Sequence, residues 1–175
     1  MAEILPEKWM KGVAITATIL AVLTSIGSSR AGFCVSKSQV LTALEGSKWA
    51  YYQAKSIKQN LLEMQRKVFE VDILGSTTQE QKDLLQQDLQ ASEAEIARYD
   101  KEKNDIRKEA EAVGKENALI NRQGNQFSMA VVLFQIGIML SSVSALLKRR
   151  EMWIVGLVFG CIAAVYLANG FLLFF

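Results

Sequence analysis

The stretch 123-QGNQFSMAVVLFQIGIMLSSVSALL-147 carries no charge, and after 148-KRRE-151 the run 152-MWIVGLVFGCIAAVYLANGFLLFF-175 is charge-free again. A helix needs roughly 20 mainly apolar residues to cross a bilayer. Both runs are long enough, so the C-terminal third reads as two transmembrane helices, 126–147 and 152–175, joined by a tight basic loop at 148–151. A third candidate follows the N-terminal segment 1–11: 12-GVAITATILAVLTSIGSS-29 also lacks charge, although Thr16, Thr18, Thr24, Ser25, Ser28 and Ser29 dilute it. A cleaved secretory signal is the rival reading there, with a basic start in Lys8 and Lys11. The helical pattern continues past Arg30, which favours a retained span.

Between the first and second spans lies a different composition. Residues 30–125 hold 15 basic and 15 acidic side chains, so this region is highly charged yet neutral, while the ends of the chain are nearly charge-free. The expected fold class is an all-α membrane protein, three spans with a long charged module between the first and second. The only proline is Pro6, so nothing interrupts long helices downstream.

The charged module reads as two helices. Positions 40, 43, 47, 50, 54, 57, 61, 64, 68 and 71 advance by alternating three and four, and none is charged. That spacing is a heptad seam. Ala43, Ser47, Ala50 and Ala54 make its first half small, whereas Ile57, Leu61, Met64, Val68 and Val71 make its second half bulky. A weaker seam follows on the return: Leu85, Leu89, Ser92, Ile96, Tyr99, Lys103, Ile106, Ala110, Val113, Asn117 and Ile120. Between them, 75-GSTTQE-80 offers Gly75 as a helix C-cap and Thr77 with Glu80 as a capping box. The turn near 75–78 makes the helices antiparallel, each rising about 65–70 Å. The two α-helical seams are expected to face each other in a coiled-coil hairpin over 30–125.

In 48-KWAYYQAKSIKQN-60, aromatics alternate with lysines. Such a pattern can stack nucleic-acid bases or anchor a helix at a membrane surface. Trp49 lies about 30 Å along the helix from Arg30, too far for a lipid belt, and a neutral module outside a membrane is a poor partner for nucleic acid. Trp49 and Tyr52 are therefore expected to contact a neighbouring subunit or helix beside the seam.

These segments resemble a bacterial membrane family catalogued as domain-of-unknown-function family 4337. The resemblance rests on 12-GVAITATILAVL-23, 49-WAYYQAKSIK-58, 97-ARYDKEKNDIRKEAE-111 and 133-LFQIGI-138 followed by 148-KRR-150. It implies a membrane protein and no established activity.

Chemistry is thinly supplied. The chain has no histidine, which removes the commonest general base and metal ligand. The carboxylates alternate with lysines as on a solvated helix face. Cys34 and Cys161 read as packing residues, too few for a disulfide framework. No catalytic, metal or cofactor site is expected, and the chain is not read as an enzyme. The membrane segments carry packing signals instead. Gly156, Gly160, Ala164 and Ala168 recur every four residues, a spacing that lets backbones approach within the chain or between subunits. Ala14, Thr18, Ala21, Ser25 and Ser28 form a second small stripe. Gln135 and Asn169 are amides deep in the second and third spans, expected to bond across helices or to line a hydrated path.

The expected function is a homo-oligomeric inner-membrane scaffold or assembly protein with a helical stalk, in contact with the lipid bilayer and with copies of itself. The alternatives are an oligomeric pore lined by Thr18, Ser25 and Ser28, and an accessory subunit of a larger complex with a protein partner. Three basic residues in the short loop favour the cytoplasmic side. That sets the N-terminus in the cytoplasm and the stalk in the periplasm.

Overall fold

The computed structural model describes residues 8–75 and 78–172. They form three α-helices: α1, Lys8–Gly75; α2, Gln79–Leu147; and α3, Arg150–Leu172. With no proline after Pro6, every backbone N–H in these segments is available to the helical ladder. Consequently α1 and α2 run for 68 and 69 residues, each containing both an apolar and a charged portion. Each of the three helices holds a stretch long and apolar enough to cross a membrane, with mean hydropathy 1.6, 2.2 and 2.0 in chain order. The chain divides into two compact units, one of residues 1–40 and 117–175, the other of residues 41–116.

The first unit is a bundle of the apolar portions of all three helices. Leu20, Cys34, Phe127, Ala130, Phe134, Ala163 and Leu167 form its buried cluster. Glycines bring the helices close. A Cβ added at Gly137 would stand 3.0 Å from the Gly156 carbonyl oxygen, and one at Gly156 would stand 3.0 Å from that of Gly137. A Cβ at Gly160 would meet Leu20 at 2.9 Å, and one at Gly170 would meet the Phe127 ring at 2.7 Å. The glycines of the every-four repeat thus serve packing within the chain, on α2 and α1, whereas Ala164 and Ala168 remain exposed.

Polar groups in this unit are bonded both across helices and back to their own helix. Trp153 Nε1 donates to Thr16 Oγ1 at 3.0 Å, and Thr16 Oγ1 donates to the Val13 carbonyl at 3.0 Å. Ser141 Oγ donates to the Gly137 carbonyl, and Ser38 Oγ donates to Asn117 Oδ1 at 2.7 Å. A hydroxyl bonded back to its own helix can sit in an apolar bundle without an unsatisfied donor.

The α2–α3 connection is shorter than the 148–151 loop expected from sequence. Arg150 and Glu151 already belong to the first turn of α3, where a carboxylate complements the positive end of the helix. Only Lys148 and Arg149 remain outside the helices. Lys148 has φ 52°, the left-handed position that usually favours glycine after a helix. The Arg149 N–H donates to the Ser144 carbonyl at 3.2 Å, closing a Schellman turn, and Ser144 Oγ donates to the Arg149 carbonyl at 2.7 Å. At the far end of α1, Gly75 is the last helical residue, and no described glycine has positive φ. Gly75 therefore ends the helix in the right-handed region and not as a left-handed cap. Thr77 lies outside the described residues.

In the second unit, 41–116, α1 packs against α2. Lys48 pairs with Glu109, Lys55 pairs with Glu102 at 2.6 Å, and Lys103 Nζ donates to Gln59 Oε1 at 2.7 Å. Contacts thus descend α2 as they climb α1.

A candidate assembly surface on the first helix

Within the second unit, α2 presents the row read from its sequence. Ser92, Ile106 and Ala110 are buried, and Leu85, Leu89, Ile96, Tyr99, Lys103 and Val113 are half-buried. The row of α1 that meets it is not the apolar seam. It is Leu41, Glu45, Lys48, Tyr52 and Lys55, continued by Gln59, Leu62, Arg66, Phe69 and Ile73, all buried or half-buried. This row has the same three-and-four spacing, displaced along the chain from the seam by one or two residues. That displacement is about 100° or more around a helix of 3.6 residues per turn.

The seam itself faces away from α2. Ala43, Ser47, Ala50 and Ala54 are exposed. Ile57 is 68%, Leu61 65% and Met64 66% exposed. Val68 and Val71 are exposed as well. The expectation that this seam pairs the two helices within one chain is therefore corrected. The physical reason lies in the mixed character of the inner row. Leu41, Tyr52, Leu62, Phe69 and Ile73 alternate in it with polar residues, Lys48 and Lys55 meet Glu109 and Glu102 of α2, and lysine ammonium groups lie over the Tyr99 and Tyr52 rings.

The electrostatics of that row are specific. Lys55 Nζ lies 4.9 Å from the centroid of the Tyr99 ring and 5.4 Å from that of Tyr51, while Lys103 Nζ lies 5.6 Å from that of Tyr52. The hydrogen bond to Glu102 raises the pKa of Lys55 above the usual lysine value, against a smaller opposing effect of burial. The same bond holds Glu102 below the usual carboxylate range. Sequence reasoning missed this network because its polar residues carry no hydropathy signal. The charge pattern alone contained it, as lysines of α1 set against glutamates of α2.

The aromatics lie beside the seam. Tyr52 belongs to the inner row, and Trp49 is half-buried beside it, with ring centroids 5.7 Å apart and planes at 74°. Neither ring lies on the apolar seam, and Tyr51 is exposed. Tyr52 contributes to the helix pair within the chain through Lys103 of α2, with Trp49 packed against it on α1.

In the first unit, Thr18, Ser25 and Ser28 are exposed, as are Ala14 and Ala21. Thr18 Oγ1 donates to the Ala14 carbonyl at 2.9 Å. Asn169 is 1% exposed, deep in the bundle. Gln135 is exposed on α2, so of the two amides expected to bond across helices or to line a hydrated path only Asn169 lies inside the single chain. The helical phase explains this: Gln135 follows Phe134 by one residue, and Phe134 is fully buried.

A shallow groove of about 420 Å³ lies between the helices of the second unit, lined by Leu62, Phe69, Ala91 and Ser92 among others. Ala91 and Ser92, small residues between Asp88 and Glu95 on α2, face Leu62, Gln65 and Phe69 of α1 there.

An all-α chain of three helices, each apolar enough over part of its length to cross a membrane, is the class these features define. The model of one family, described as a domain of unknown function (DUF4337), matches residues 9–173. The chain belongs to that family. No curated protein and no solved structure matches it.

Proposed function

We propose that this protein is a homo-oligomeric scaffold or assembly protein of the bacterial inner membrane. It spans the bilayer three times and projects an antiparallel coiled-coil hairpin from between its first and second spans. It carries no catalytic centre. The observation that carries this reading is the charge-free row of α1, which stays exposed although it is the most regular apolar pattern in residues 41–116. Fully burying a large aliphatic side chain is worth about 1.5–3 kcal/mol. Five such side chains, Ile57, Leu61, Met64, Val68 and Val71, gain little of that within the single chain. Exposed contiguous apolar surface of this kind marks an association site.

Lys148, Arg149 and Arg150 support a cytoplasmic position for the α2–α3 turn. The hairpin then stands in the periplasm and the N-terminus in the cytoplasm. Chemical crosslinking in native membranes, followed by mass measurement in mild detergent, tests the reading. Covalent and non-covalent multimers of this chain are expected; a monodisperse monomer with no crosslinked species would sink it.

A second reading is an oligomeric pore. The polar face Thr18, Ser25 and Ser28, exposed on the first apolar segment, favours it. Reconstituted protein should then pass ions or small solutes, and vesicles impermeable across a range of voltages would count against it.

A further inference from the structure

The exposed row of α1 has a width, a length and a chemistry that identify its occupant. Along its bulky half the apolar positions fall only on the two heptad sites that form a seam, Leu61 and Val68 at one and Ile57, Met64 and Val71 at the other; Ala54, Ala50, Ser47 and Ala43 continue these sites through the small half, where exposed Leu44 and Tyr51 flank them. An apolar stripe this narrow is the mark of a coiled-coil seam, whereas a helix resting on a lipid surface or a globular partner uses a wider face. Along its bulky half the flanks are polar: Gln53, Asn60 and Lys67 on one side, Lys58, Gln65 and Asp72 on the other. Ile57, Leu61, Met64, Val68 and Val71 are each more than half exposed. With the small residues before them they run over about eight turns of α1, a long strip of the kind that an interface of roughly 800 Å² per partner needs.

We propose that the row Ala43–Val71 of α1 is the contact between copies of this chain, packed parallel and in register against the same row of a neighbouring copy. This rests on the membrane-scaffold reading. Copies inserted in one bilayer with one topology leave it in the same direction, so their α1 helices run parallel, and each row begins the same number of residues beyond the first apolar segment. Like then meets like: Ala50 and Ala54 approach closely, and Leu61 and Met64 fill the wider part. Parallel packing also brings Lys67 of one copy beside Asp72 of the next, because the flanking positions of adjacent heptads meet across such a seam. The ion pairs of the other face stay within each chain.

The test is disulfide mapping on the full-length protein in native membranes, with Cys34→Ala and Cys161→Ala as background. Single cysteines are introduced as Leu61→Cys, Met64→Cys and, on the exposed face of α2, Lys101→Cys. Mild oxidation is expected to link Leu61→Cys to itself and Met64→Cys to itself, at several-fold higher yield than Lys101→Cys. A second variant, Ile57→Lys with Leu61→Lys, is expected to lose the multimer while keeping its helical circular dichroism and its membrane insertion, because neither residue supports the fold of the single chain. A multimer that survives this variant, or that crosslinks at Lys101→Cys and not at the row, overturns the proposal and leaves the scaffold reading standing. A wild-type chain that is monomeric throughout overturns both.

Discussion

Lys55 shows how one side chain decides a contact. It pairs with Glu102 and lies over two tyrosine rings, so the charged row of α1 behaves as a packed surface. Its raised pKa and the lowered pKa of Glu102 set a pH window for the helix pair. The contribution of Glu102 is present above the ordinary carboxylate range and is lost as pH falls through its lowered folded value. That of Lys55 is complete below the ordinary lysine range and is lost as pH rises through its raised folded value. The thermal midpoint of the helix pair is therefore expected to plateau between these limits and to fall on both sides. In Glu102→Gln the acid limb should flatten; an unchanged acid limb in circular-dichroism melts would refute the assignment. The presence of many charges in this region is plain from composition. Which lysine meets which glutamate depends on the rotation of both helices, and residue types do not encode that directly.

At the scale of elements, the long uninterrupted helices were legible. A chain with one proline at position 6 and unbroken three-and-four spacing has no cause to break. The α2 row from Leu85 to Val113 was legible too, because every residue of that spacing, Ser92 and Lys103 included, is buried or half-buried. The role of the glycines in α3 was not, since a small residue licenses close approach without naming the partner. Gly156 lies against Gly137, each admitting the other's backbone. Gly156→Leu should force α2 and α3 apart and destabilise the bundle by about 1–3 kcal/mol, as overpacking does. Gly32, with nothing within 4 Å of an added Cβ, is the control. Gly32→Ala should stabilise the helix by about 0.5–1 kcal/mol. Thermal unfolding in detergent measures both, and equal effects at the two positions would contradict the close approach. The α2–α3 turn was shorter than the basic run suggested because Arg150 and Glu151 have no reason to leave a helix once Lys148 has taken the left-handed position.

For the whole molecule, the exposed row on α1 bears on copy number. Leucine at the first seam site of a heptad (a, as Leu61) with isoleucine at the second (d, as Ile57) shifts parallel coiled coils from two strands toward three or four, whereas the reverse order favours two. Mass measurement in mild detergent is expected to show at least three copies, held together at high salt because the seam is uncharged. A dimer as the largest species would contradict this. The sequence by itself determined that the chain is all-helical, that three segments are apolar enough to cross a bilayer, and that a charge-free heptad row runs along α1, because hydropathy and period are properties of residue order. Only the tertiary structure decided which row of α1 meets α2. Two rows compete on the same helix, one charge-free and one of mixed polar and apolar residues. Ion pairs, tyrosine contacts and the burial of Leu41, Leu62, Phe69 and Ile73 set the mixed row inside and leave the charge-free row facing outward.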